Sequence, residues 1–178
     1  FLKIFPRLRD LFVSRDAIER VAREAVEDAA NDSISHLELR FSPVGFSVRS
    51  GEKPLTVGRW IIDAALREAR RSRMKVRFLA TIARHFPVER NKPTLNAALE
   101  LPFVGMDLAG DERFFPAGPY LRTFRKARKA GLGVTIHAGE AAGAENVKEA
   151  ILEFGATRIG HGIRVLDNPE ILRLAKER

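Results

Sequence analysis

Residues 56–83 read TVGRWIIDAALREARRSRMKVRFLATIA, and the hydrophobic period changes once along this stretch. From Thr56 to Arg73 the apolar residues recur every three to four positions, the stripe of an amphipathic helix. From Val76 to Ala83 they form a short, nearly continuous run, as in a strand buried within a parallel sheet. A helix feeding directly into a buried strand is the unit of an α/β fold.

The same alternation extends in both directions. Upstream, a helix is predicted over Arg15 to Asn31, with Ser14 or Asp16 placed to cap it, followed by a strand over His36 to Phe41 that Pro43 ends. Downstream come a helix over Val88 to Leu101, a strand over Phe103 to Ala109, and a helix over Pro119 to Ala130 stopped by Gly131. A strand over Gly133 to His137, a helix over Glu145 to Phe154, a short strand over Arg158 to His161 and a helix over Asn168 to Lys176 complete the pattern. No long linker interrupts the units, so residues 1–178 are expected to form one domain, either a doubly wound sheet or part of a (β/α)8 barrel. A complete barrel needs ~250 residues, more than this chain has.

Composition removes several classes of function. At 45% apolar residues the 178-residue chain can build a core. No run of about 18 apolar residues occurs and the opening FLKIFP lacks a leader pattern, so neither membrane spanning nor secretion is expected. There is no cysteine, which excludes disulfides, thiolate metal ligands and a cysteine nucleophile. Its absence is compatible with a cytoplasmic location, which is the expectation. The net charge is +8, but its densest cluster, Arg67, Arg70, Arg71, Arg73, Lys75 and Arg77, straddles a helix end where cations complement the dipole. No nucleic-acid motif accompanies it, so no nucleic-acid partner is expected.

Polar residues gather where successive strands end: Arg40 and Ser42, Arg84 and His85, Asp107 to Glu112, His137 with Glu140, and His161. In parallel α/β proteins this edge carries the site. Taken singly, Arg84 and Ser42 read as strand ends returning to solvent. His137-Ala138-Gly139-Glu140 places an imidazole at a strand end and a carboxylate three residues on. A neutral imidazole there can ligate zinc, and a carboxylate held against a desolvated pocket can serve as a general acid or base. As a bare pattern His-x-x-Glu is weak, and a satisfied core histidine is its default reading. Arg158-Ile159-Gly160-His161-Gly162 flanks a second histidine with glycines, which leave its ring approachable or simply pack. The three carboxylates around Gly110 can bind metal, ring nitrogens or arginines.

The segments MDLAGDE, HAGEAAG and RIGHGI, in that order and spacing, with LELRFSP and the opening FLKIF, resemble the signature segments of the adenosine deaminase family over essentially the whole chain. The resemblance implies an incomplete (β/α)8 barrel covering about the second to sixth strands. It implies one catalytic Zn2+, held in the family by a His-x-His pair on the first strand, a histidine on the fifth and an aspartate on the eighth. His137 matches the third histidine. Glu140 matches the glutamate that protonates the purine at N1 as hydroxide attacks C6, and His161 the histidine that orients the zinc-activated water. Gly110 matches the glycine whose backbone contacts the purine, while Phe1, Leu2 and Phe5 resemble the apolar gate over the pocket.

No His-x-His occurs in the sequence, so three of the four expected ligands lie outside it. The isolated polypeptide is therefore expected to bind zinc weakly and deaminate nothing. His36 starts a strand and His85 ends one where the family has no ligand, so neither replaces them. The activity implied for the full-length protein is hydrolytic deamination of adenosine or 2′-deoxyadenosine to the inosine product and ammonia, on a small-molecule purine nucleoside. The rival readings are a deaminase of adenine or of an N6-substituted or phosphorylated aminopurine, and a non-catalytic purine-binding fragment.

Overall fold

The computed structural model describes residues 4–177, and among them every side chain except those of Phe5, Pro6 and Arg9. Five strands, β1 (His36–Phe41), β2 (Lys75–Ala83), β3 (Phe103–Ala109), β4 (Gly133–Ala138) and β5 (Arg158–His161), form one sheet in the order β1-β2-β3-β4-β5. Every neighbouring pair is parallel. A doubly wound sheet would reverse its strand order at a switch point. Strictly sequential order does not, and it identifies the sheet as an arc of a (β/α)8 barrel.

The helices that carry the chain back between strands are α4 (Pro54–Arg71), α5 (Val88–Glu100), α6 (Leu121–Lys129) and α7 (Ala144–Leu152); α2 (Arg15–Asn31) precedes β1 and α8 (Pro169–Lys176) follows β5. Two short helices, α1 (Ile4–Arg9) and α3 (Pro43–Ser50), complete the set. Pro43 does end β1, but it also opens α3, which the sequence does not predict. Its ring occupies a first-turn position and the Ser42 hydroxyl accepts the N–H of Gly45 at 3.1 Å as the cap. Ser14, not Asp16, caps α2 through the N–H of Ala17 at 3.2 Å.

Alternation along the strands assigns the two faces of the arc. Val76, Phe78, Ala80 and Ile82 of β2, Met106 and Leu108 of β3, and Val134 and Ile136 of β4 are buried beneath the helix layer. Glu38, Arg40, Thr81, Asp107, Thr135 and His137 point the other way, along the face that lines a barrel. That face is concave. Arg158 on β5 bonds Glu38 on β1, two strands at opposite ends of the sheet order, which a flat sheet would hold far apart.

Of the basic cluster, Arg67 pairs with Glu19 of α2 at 2.7 Å and Arg71 approaches Glu68 at 3.9 Å. No helix among the described residues is long and apolar enough to cross a membrane.

Candidate functional site

The C-terminal ends of β3, β4 and β5 bring together Asp107, His137, Glu140 and His161. Asp107, fully buried, places Oδ1 2.9 Å from Nδ1 of His137. Its other oxygen lies 3.1 Å from Nη1 of Arg40, which also stands 3.2 Å from Nε2 of the same imidazole. An arginine can only donate, so Nε2 is the accepting nitrogen and Nδ1 carries the proton given to Asp107. This is the tautomer that leaves Nε2 able to ligate a metal, with a carboxylate behind the ring.

Gly160 makes room for that ring. A Cβ there would lie 2.8 Å from Cγ of His137, so the residue opposite it in the register must lack a side chain. The rings of His137 and His161 stand edge to face, 5.2 Å between centroids. His161 has a left-handed backbone, φ 64°, which turns its side chain out of the strand alternation. Its Nε2 reaches to 3.4 Å from Oε2 of Glu140.

The side chain of Glu140 is 44% exposed. Gly110 sits at the same strand edge, directly after β3, with φ 110° and its Cα side packed on His85 so that a Cβ would meet Nδ1 at 2.9 Å. Phe1 and Leu2 lie outside the described residues; Phe5 falls in α1, and its side chain lies outside them too. His36 opens β1 at the far end of the sheet from the site.

Two residues do more than the sequence indicates. Arg84 does not return to solvent; it is buried, donating to the carbonyl oxygens of His137 and, at 3.3 Å, of Phe115. Burial lowers its pKa from the ordinary value, against the raising influence of Glu112 and Asp107. Glu112, left unassigned among the acids around Gly110, is also buried and accepts the N–H groups of residues 139–142. An arginine and a glutamate directly beyond apolar strands are the only sequence signals for either, and solvated residues give the same signals.

A four-coordinate zinc requires three donors besides His137. Among the described residues no group of three or more histidine, cysteine, aspartate or glutamate side chains is placed to hold a metal. The residues present therefore fit one corner of a zinc site and do not make a site by themselves.

Known proteins place this geometry. The family model described as adenosine deaminase matches residues 1–178. The adenosine deaminase of Vibrio parahaemolyticus is 40% identical over 159 residues, which cover 88% of this chain and 48% of that protein. A zinc-bound amidohydrolase from Burkholderia ambifaria superposes with a TM-score of 0.88 at 27% identity, over 96% of this chain and 49% of the other. The N6-methyl-AMP deaminase of Arabidopsis thaliana gives 0.77 at 26% identity, over 99% and 54%. The chain spans about half the length of the curated relatives it matches. Since the match runs from the first residue to the last and the fold agrees along the same span, the chain belongs to the adenosine deaminase family.

Proposed function

We propose that this chain supplies the central part of the catalytic barrel of a cytoplasmic deaminase that hydrolyses adenosine and 2′-deoxyadenosine to inosine or 2′-deoxyinosine and ammonia. The observation that carries the reading is the grouping of His137, fixed by Asp107 in its metal-ligating tautomer, with the Glu140–His161 pair at 3.4 Å. His137 is one ligand of a single zinc ion. A bound zinc ion would supply Lewis-acid activation of water at neutral pH.

The remaining steps belong to side chains of this chain. Glu140 delivers a proton to N1 of the purine, which makes C6 electrophilic and prepares the amino group to leave as ammonia. His161, with Nε2 3.4 Å from Oε2 of Glu140, orients the attacking water and exchanges a proton with that carboxyl group. Gly110 offers its backbone to the edge of the purine, and Phe1, Leu2 and Phe5 contribute apolar cover. The substrate is a small-molecule nucleoside.

A second reading, deamination of an N6-substituted or phosphorylated aminopurine, is favoured by likeness to the Arabidopsis enzyme. The higher identity to the Vibrio enzyme supports adenosine as the first reading. The test follows the loss of adenosine ultraviolet absorbance, with zinc added, for this chain and for a version extended at both ends. Turnover by the extended version alone is the expected result. Turnover of N6-methyl-AMP in place of adenosine selects the second reading, and an E140Q variant that keeps full turnover overturns both.

A further inference from the structure

The carboxylate of Glu112 accepts hydrogen bonds from the backbone N–H groups of Gly139 at 2.7 Å, Glu140 at 2.9 Å, Ala141 at 2.9 Å and Ala142 at 3.2 Å, and from Nδ2 of Asn146 at 2.9 Å. Successive backbone N–H groups converging on one point form a nest, a concavity that binds anions. This nest opens immediately before α7, whose N-terminal dipole adds to the attraction. The anion that fills it belongs to the same chain. Glu112 reaches from the turn after β3 into the loop after β4, and it is 4% exposed.

The geometry bears on Glu140 directly. Its N–H is one of the four nest donors, so its backbone is tied to Glu112 while its side chain stays free to meet His161. Gly139, at φ 70° and with a Cβ position only 2.7 Å from Cγ2 of Val147, lets the loop curl tightly enough to aim consecutive N–H groups inward. The loop has no regular secondary structure between β4 and α7. Its shape therefore depends on the bonds it makes, and those to Glu112 are charge-assisted.

We propose that Glu112 is a positioning residue: its carboxylate takes the place of a free anion in the nest of residues 139–142 and so fixes the direction in which Glu140 presents its carboxyl group. The consequence for catalysis rests on the role given to Glu140 above; the holding of the loop does not. Glutamine at position 112 keeps the volume but offers one acceptor oxygen and turns an NH2 group against N–H donors. Glycine empties the nest and leaves room for formate.

Amide hydrogen exchange read by NMR on this chain tests the proposal, with the amides of Leu108 and Ile136 as references inside the sheet. In E112Q the amides of residues 139–142 are expected to exchange about tenfold faster or more, with the references unchanged. In E112G, added formate should slow them again. Two results overturn the proposal: loop amides protected in E112Q as in the parent chain, or references that accelerate as much as the loop, which would make Glu112 a support of the whole fold. If E112G does not fold, E112Q decides alone. Extended at both ends, E112Q should lose kcat with KM little changed. If the extended parent turns over no adenosine while the exchange result holds, the deaminase reading fails and the loop-fixing role stands.

Discussion

Asp107 on β3 holds Nδ1 of His137 on the neighbouring strand β4 at 2.9 Å, which leaves Nε2 as the accepting nitrogen, 3.2 Å from Nη1 of Arg40. Asp107 is also the partner of Arg40, so a single buried carboxylate serves two groups from two other strands. Removing it strands both. D107A should lower the unfolding free energy by about 2–4 kcal/mol, and D107N, which keeps an acceptor oxygen but loses the charge, by about 1–2 kcal/mol. Urea denaturation measures both, and losses below about 0.5 kcal/mol in each would show that the network contributes nothing to stability. Nitrogen NMR of His137 should show Nδ1 protonated in the parent chain and a mixture of tautomers in D107A.

Acid should protonate Glu112 only after it has protonated an ordinary solvent-exposed glutamate. Burial pushes its carboxyl upward, but the N–H groups of Ala141, Gly139 and Glu140 and the amide of Asn146 outweigh burial and hold it below the ordinary 4.5. The unfolded chain then binds more protons than the folded one near that pH, so stability rises with pH there. The contribution is fully present above the ordinary value and is lost as pH falls through the lower, folded one. The difference in urea midpoint between the parent and E112Q should stay constant above about pH 5.5 and shrink in more acidic solution. A difference that grows on acidification would reverse the sign and overturn the assignment.

How much of this was legible in the sequence follows from the range of the forces involved. The strands over 36–41, 103–109 and 158–161 were readable to the residue, since apolar runs bounded by Gly, Pro and charge are local signals. The choice between an open sheet and a barrel was not readable from periodicity, because both repeat the same βα unit; strand order and the contact between Arg158 and Glu38 decide it. His137, Glu140 and His161 were found as motifs. Arg84 and Glu112 were not, because their burial depends on loops folding over them from β3 and β4, and no local pattern encodes that.

Gly160 and Gly139 make a matched pair of tests for crowding at the site. Gly160 has no positive φ, so G160A should strain only the approach to the His137 ring, 2.8 Å from the new Cβ. Displacing the ring should cost about 1–3 kcal/mol and weaken its bond to Asp107, visible as a change in the His137 nitrogen resonances. G139A adds a left-handed backbone to a 2.7 Å contact with Val147 and should cost more. Equal stabilities for the two variants would mean that the loop relaxes around either methyl group.

The edges of the arc set the behaviour of the isolated chain in solution. Among the described residues β1 pairs only with β2 and β5 only with β4, so each presents a row of unpaired N–H and C=O groups. Such edges recruit other strands unless charge, proline or covering elements block them. Beyond β5 the chain exposes Ile163 at 62% and Leu166 at 71%, large apolar side chains that water does not favour leaving open. The +8 charge opposes association at low ionic strength, and salt screens it over about 10 Å at 0.1 M. Sedimentation velocity should therefore show self-association that strengthens with protein concentration and with added salt. I163K with L166K, which leaves the catalytic side chains untouched, should reduce it. A single monomeric species at every concentration and salt level would show that the concave face and its edges are adequately closed by the contacts the chain already makes.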